Sequence, residues 1–268
     1  MNSAATATAA LTASGVKVAI QGNTIVEGAD LRLEHGKLVA IVGPNGAGKS
    51  TLVRALAGIQ RIESGEVRWG ETPIGELRGR DLALTRAFVP QRSLVPPGVT
   101  VREAVTIGRS VHVKPWQRVG AEGRVAVDRA MERAGVEQFA DRFLTTLSGG
   151  EMQRVQVAVA LAQEAPVLIA DEPTSALDLG ATVAIARLLR RLADEGLGIL
   201  LVVHDLSLAA AVADEVVVMS NGTTVADGPP AEAITPERLA EVWGVDASLD
   251  VSNDERTALK VSWLGAGE

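Results

Sequence analysis

The nine residues from Gly43 to Thr51 constrain the fold of this chain more than any other stretch. They match the pattern G-x-x-x-x-G-K-[ST], in which backbone N–H groups surround a phosphate. The apolar run 38–42 before them is β-branched and predicts a buried strand, and the run 52–57 after them favours a helix. Strand, glycine loop and helix together predict a nucleoside-triphosphate site in an α/β protein.

Each residue type in this loop has a physical reason. Side chains at the glycines would block the approach of the backbone to an anion, and the following helix adds its positive N-terminal end. Lys49 is predicted to reach the β- and γ-phosphates, and the Ser50 hydroxyl to ligate Mg²⁺. The predicted nucleotide-binding residues of the loop are Gly43, Pro44, Asn45, Gly46, Ala47, Gly48, Lys49, Ser50 and Thr51.

Composition narrows the function classes. A net charge of −7 argues against nucleic acid as a partner, because such proteins carry a basic surface. The 268 residues include no cysteine, which excludes disulfides, thiolate metal sites and a cysteine nucleophile. No run of about 18 uninterrupted apolar residues is present, so we expect that the chain does not span a membrane by itself.

Short apolar strands alternate with helical patterns along the chain, which predicts a parallel-type α/β sheet. Residues 93–160 are predicted to form a mostly helical insert, in which a capping box, Thr100 to Glu103, opens a helix. We expect the nucleotide-binding core to consist of 16–92 and 161–245. A disordered tail is expected over 1–15 and a short tail over 246–268, and Asn221-Gly222 predicts a hairpin turn.

Two carboxylates, Asp171 and Glu172, end the apolar strand predicted at 167–171. Next to a phosphate loop, the first acid suits Mg²⁺ coordination, and the second lies further out, where it is placed to polarise an attacking water. The alternative is a solvated pair of acids at a strand end, which is common in proteins.

A second glycine-containing helix start lies at Ser148-Gly149-Gly150-Glu151. Its backbone N–H groups suit an anion, by the same argument as the phosphate loop. The plain alternative is that Ser148 caps the helix and Glu151 completes a capping box, and both interpretations are compatible. Two anion-binding helix starts in one chain suggest that two copies face each other across one nucleotide.

These motifs resemble, in order and spacing, the nucleotide-binding subunits of ABC transporters. The resemblance covers about residues 16–243 and implies a P-loop NTPase core, a mostly parallel sheet with an antiparallel portion, into which a helical subdomain is inserted. It implies ATP hydrolysis with Mg²⁺. The segments that carry the resemblance are Gly43–Thr51, Gln91, Leu147–Gln153, Val167–Pro173, Ser175–Asp178 and His204.

The resemblance also implies roles for individual residues. Ser148, with Gly149 and Gly150, would contact the γ-phosphate of an ATP held by the phosphate loop of a second protomer, and Asp178 would line that interface. Gln91 would join the Mg²⁺ and water shell at the hinge to the helical insert. His204 would contact the γ-phosphate, while Lys49 and Glu172 complete the predicted catalytic set.

One position departs from the family pattern. The family usually places an aromatic residue upstream of the phosphate loop, where it stacks on adenine, and we expect this position near Ile20. The chain contains no tyrosine, and Ile20-Gln21 occupies that place. We therefore expect the base to be held by an apolar contact alone.

Three segments, 88–91, 101–109 and 225–232, resemble the iron–siderophore, haem and cobalamin importer branch. This implies a bacterial subunit at the cytoplasmic face of the membrane that pairs with a second ATP-binding subunit, expected to be an identical copy, and with polytopic permease subunits. A substrate-binding protein would act indirectly. Alternatives are a manganese or zinc importer, an exporter, and a soluble ATPase scaffold of the iron–sulfur assembly type.

Overall fold

The computed structural model describes residues 10–91, 95–114, 116–251 and 257–261. The strands are β1 Leu11–Ile20, β2 Asn23–Leu33, β3 Leu38–Val42, β4 Ser64–Trp69, β5 Thr72–Pro73, β6 Arg86–Val89, β7 Val167–Asp171, β8 Gly198–Val202, β9 Glu215–Ser220, β10 Thr223–Gly228, β11 Ala247–Val251 and β12 Thr257–Val261. The helices are α1 Lys49–Leu56, α2 Gly79–Thr85, α3 Val101–Gly108, α4 Ala121–Ala134, α5 Gly149–Ala162, α6 Leu179–Asp194, α7 Leu206–Val212, α8 Pro230–Ala233 and α9 Pro236–Trp243.

Ten of these strands form one sheet in the order β5-β4-β1-β2-β10-β9-β3-β8-β7-β6. The half that contains β9, β3, β8, β7 and β6 is parallel, whereas β1 pairs antiparallel with both β2 and β4. The two halves meet where β10 pairs with β2. A mostly parallel sheet with an antiparallel portion was predicted, and the structure confirms it.

The central strands are covered on both faces, as their unbroken apolar sequences predict. In β3, Leu38 and Ala40 pack with the helices on one face, while Val39 and Ile41 pack on the opposite face around α1 and the antiparallel strands. Every residue of β3, β7 and β8 is buried. The rigid parallel strands therefore fix the positions of the loops that leave their carboxyl ends.

The N-terminal boundary differs from the prediction. We expected a disordered tail over 1–15, but β1 begins at Leu11, which is fully buried and pairs with Leu33 of β2 and Trp69 of β4. The small residues of this Ala/Thr-rich segment suit a strand because two neighbours shield them. Residues 1–9 of the expected tail lie outside the described part of the chain.

The C-terminal tail also contains regular structure. β11 and β12 pair antiparallel, with Ala247 opposite Val261. Residues 252–256 and 262–268 of the expected tail lie outside the described residues. The predicted turn at Asn221-Gly222 is confirmed: both residues have positive φ, 48° and 80°, and the turn joins β9 to β10.

The helices α3, α4 and α5 lie between β6 and β7 in the chain and pack on one another around Val105, Met131 and Val155. They fall within the predicted insert 93–160 apart from the last two residues of α5. Residues 93, 94 and 115 of the insert are not described. The predicted capping box at Thr100 is present, since its side chain and that of Glu103 each accept the other residue's backbone N–H. Over the described ranges, every helix is too short or too polar to cross a bilayer.

Candidate functional site

The phosphate loop joins β3 to α1 and depends on its glycines for its own shape. Gly43, Gly46 and Gly48 all have positive φ. A Cβ at Gly43 would lie 2.2 Å from the carbonyl oxygen of Met219, and one at Gly48 would lie 2.8 Å from that of Ile25. These glycines therefore let the loop pass against neighbouring backbone, in addition to leaving room for an anion.

Lys49, the first residue of α1, is directed back into the loop. Its ammonium donates to the carbonyl oxygens of Gly43 at 2.8 Å and Pro44 at 3.0 Å, and only 5% of the residue is exposed. Burial lowers the pKa of Lys49, although the nearby carboxylates of Glu172 and Asp171 act in the opposite direction. An ammonium has three donors, so one remains for a ligand.

The next residue of the helix, Ser50, meets the end of β7. Its hydroxyl donates to Asp171 Oδ1 at 2.8 Å, and Asp171 is completely buried. Burial raises the pKa of this carboxyl, partly offset by the Ser50 hydrogen bond and by the charge of Arg54. Among the described residues, the second oxygen, Oδ2, is buried with no hydrogen-bond partner, which is unusual for a carboxylate.

Glu172 follows directly and is the point where three segments meet. His204, just after β8, places Nε2 2.6 Å from Glu172 Oε1, and Gln91, just after β6, donates from Nε2 to Oε2. Glu172 has φ of 52°, and its backbone N–H donates to Val202 O at 3.1 Å. Three parallel strands thus deliver one carboxylate, one imidazole and one amide to a single point.

These groups enclose a cleft of about 450 Å³ above the phosphate loop. Its lining residues are Ile25, Asn45, Gly46, Ala47, Gly48, Lys49, Ser50, Thr51, Gln91, Glu172 and His204. The sequence predicted all of them except Ile25. Gly43, Pro44 and Asp171 lie behind this surface, where they hold Lys49 and Ser50 by the hydrogen bonds described above.

The expected adenine contact, Ile20, does not line the cleft. It ends β1 opposite Asn23 and is 40% exposed. Ile25 of β2 does line the cleft. No sequence motif contains Ile25, and the alternation of buried and exposed residues in β2 holds only from Ala29 to Leu33, so the pattern gave no signal for Ile25.

The second helix start lies outside the cleft. Ser148 caps α5, with its hydroxyl accepting from Glu151 N at 3.3 Å while the Glu151 carboxylate accepts from Ser148 N at 2.8 Å. A Cβ on Gly150 would lie 2.8 Å from the Cβ of Ala181, so this loop packs on the start of α6. Asp178 caps α6 and accepts from Ala181 N at 2.8 Å.

Fold and cleft together define a nucleoside triphosphatase with a phosphate loop. The family model described as "ABC transporter" matches residues 26–175, more than half of the chain. The chain is 41% identical over 236 residues to the hemin import ATP-binding protein HmuV of Rhodococcus jostii, covering 87% of this chain and 80% of that relative. It is 37% identical over 234 residues to the iron(3+)-hydroxamate import ATP-binding protein FhuC of Bacillus subtilis, covering 87% and 86%.

A solved structure described as a metal-chelate type ABC transporter in an inward-facing conformation superposes with a TM-score of 0.83 at 25% identity. The alignment covers 95% of this chain and 98% of that one. The chain belongs to the ABC transporter family and is an ATP-binding, ATP-hydrolysing member of it. The predicted resemblance is confirmed.

Proposed function

We propose that this chain hydrolyses ATP to drive bacterial uptake of a metal chelate of the iron–siderophore, haem or cobalamin type. The observation that carries the ATPase part is the meeting of Gln91, Glu172 and His204 over the phosphate loop. The names of the relatives, import proteins for hemin and for iron(3+)-hydroxamate, support the substrate class.

The residues below the cleft fit Mg²⁺. The Ser50 hydroxyl and the buried Asp171 carboxylate are hard oxygen donors, and Asp171 Oδ2 lacks a hydrogen bond among the described residues. These two residues would hold the ion, directly or through water. When bound, Mg²⁺ would supply positive charge that stabilises the phosphates of ATP.

The remaining groups act on the nucleotide and the attacking water. Lys49 directs its free N–H at the phosphates, and backbone N–H groups of the loop bind the same oxygens. Glu172 accepts a proton from the water as the water oxygen bonds to the γ-phosphorus. The bond from the γ-phosphorus to the β–γ bridging oxygen breaks in the same step, and ADP and phosphate leave. Gln91 and His204 hold that carboxylate in position. They would also contact the water or the γ-phosphate.

The site requires a second copy of the chain. The cleft is open above the phosphate loop, and Ser148–Gly150 of the same chain does not line it. A head-to-tail dimer would place the α5 start of one protomer against the γ-phosphate held by the other, with Asp178 at the interface. ATP would close this dimer, and hydrolysis would reopen it.

An apolar groove of about 300 Å³ between β6 and the helices α3 and α5 suits a permease subunit. Ile107, 62% exposed, lies on its rim. Pro90 lines this groove, while the next residue, Gln91, lines the nucleotide cleft and donates to Glu172. A membrane subunit in the groove would be coupled to the nucleotide site because Pro90 and Gln91 are consecutive residues. The same subunit would hold the chain at the cytoplasmic face of the membrane.

Co-expression with the candidate permease tests this function. We expect the complex to take up a haem or iron–siderophore load into proteoliposomes in the presence of ATP. The Ile107→Asp variant should no longer bind the permease but should still bind ATP. The control is Val125→Asp, at a residue of α4 that is 65% exposed, and this variant should bind both. Capture of soluble partners alone, with no polytopic subunit, would favour the scaffold alternative.

A further inference from the structure

The buried carboxylate of Asp171 has a cationic neighbour to which the mechanism gives no task. Arg54, in the last turn of α1, places Nη2 3.6 Å from Asp171 Oδ2. That is the same oxygen that lacks a hydrogen bond, since 3.6 Å is an ionic contact and too long for one. Among the described residues, Asp171 is the only ionic or hydrogen-bonding partner of this guanidinium.

The geometry follows from the helix. Ser50 and Arg54 are four residues apart, so they share one face of α1. Ser50 engages Oδ1 and Arg54 faces Oδ2, and one helix therefore addresses both oxygens of one acid. The two partners of the ion pair differ in exposure: the Arg54 side chain is 49% exposed, while Asp171 is completely buried.

We propose that Arg54 is a positioning residue that takes the cation's place at Asp171 before the nucleotide binds and competes with Mg²⁺ for it. This inference rests on the proposed metal site. A buried carboxylate with too little counter-charge is costly, and Arg54 adds its charge to that of Lys49 in the nucleotide-free protein. The long contact and the solvent-exposed stem let the guanidinium withdraw into water when a divalent cation arrives.

The charge of Arg54 therefore works in opposite directions in the two states. It stabilises the nucleotide-free protein by pairing with Asp171. It weakens the binding of Mg²⁺, because the ion pair between Arg54 and Asp171 must be given up when the ion binds, and a pair with a solvent-exposed partner is worth up to about 1 kcal/mol. Losing that pair corresponds to about a five-fold change in affinity.

Calorimetric titration with ATP, in EDTA and in Mg²⁺, tests the proposal by binding alone. The measured quantity is the Kd for ATP in EDTA divided by the Kd in Mg²⁺. Both values are taken in the hydrolysis-impaired Glu172→Gln background. Arg54→Met keeps the aliphatic stem and removes the charge, and we expect it to raise this ratio about five-fold. Arg54→Lys keeps the charge and should leave the ratio near that of the parent. An unchanged or lower ratio for Arg54→Met overturns the proposal.

Two further measurements separate this role from a general effect on folding. In EDTA, Arg54→Met should lower the Tm, and it should do so less when combined with Asp171→Asn, because no buried charge is then left unpaired. An equal drop in both backgrounds contradicts the proposal. If the parent protein has the same Kd for ATP in Mg²⁺ and in EDTA, the proposed metal site is wrong. This result is distinct from one that contradicts only the role of Arg54.

Discussion

The helices α1 and α5 both start at a glycine-containing segment, yet their first turns are organised in opposite ways. α1 has Gly48 at its N-cap with no side-chain cap, and Gly48 and the first three residues of the helix line the cleft. α5 has Ser148 at its N-cap, and a complete capping box with Glu151 binds part of its own N–H groups.

This difference indicates which helix start binds phosphate first. The uncapped start of α1 is incomplete without an anion, so it forms a binding site in a single chain. The start of α5 is already stabilised by its own side chains and lies outside the cleft, so it needs no ligand to be stable. We infer that it meets phosphate only when a second protomer brings one.

The largest expected effect comes from Glu172→Gln, which sharpens the comparison by keeping ATP bound. The amide retains the shape but accepts no proton, so kcat should fall by about 10²–10⁴-fold while ATP affinity stays near wild type. Steady-state phosphate release and calorimetry measure the two quantities. Glu195→Gln, a surface change in an ion pair with Arg133, is the control and should turn over normally. Near-normal turnover of Glu172→Gln would refute the base assignment.

Lys49→Ala tests whether the start of α1 binds phosphate in a single chain. It removes a buried ammonium and a charge-assisted bond to phosphate, and we expect ATP affinity to fall at least about 10–100-fold. Lys37→Ala, which removes a half-exposed lysine 3.7 Å from Asp214, should leave affinity unchanged. Equal affinities for wild type and Lys49→Ala in a calorimetric titration would remove the phosphate-loop assignment.

Ser148→Ala tests the α5 side, and Thr100→Ala provides a matched control. Both residues cap a helix in a complete capping box, so each change should cost about 1 kcal/mol in the free energy of unfolding. Only Ser148→Ala should also weaken the ATP-dependent dimer, measured by size-exclusion chromatography in the Glu172→Gln background. Equal dimer formation by the two variants would mean that Ser148 is a cap and nothing more.

The sequence was sufficient wherever local chemistry decides structure. The phosphate loop, both capping boxes and the Asn221-Gly222 turn follow from residue types at fixed offsets. The acids at the end of β7 could be predicted for the same reason, since an apolar strand ends in charge at the edge of a sheet.

What escaped prediction depends on long-range pairing. In the sequence, Leu11 lies in an Ala/Thr-rich segment that we expected to be a tail. In the structure, β2 and β4 pair with β1 on both sides and shield Leu11. Ile25 enters the cleft only because β2 runs next to the phosphate loop. Arg54 is an ordinary helix residue in the sequence, and its contact with Asp171 follows from how α1 packs against β7.

The backbone of Glu172 has a consequence for evolution and engineering of this protein. A non-glycine residue with φ of 52° lies in the left-handed region, where a side chain costs about 1–2 kcal/mol. A glycine there would relieve this strain but would remove the carboxylate that His204 and Gln91 hold in place. Stability and turnover are therefore in opposition at this residue, and a screen for thermostable variants alone would tend to select inactive proteins.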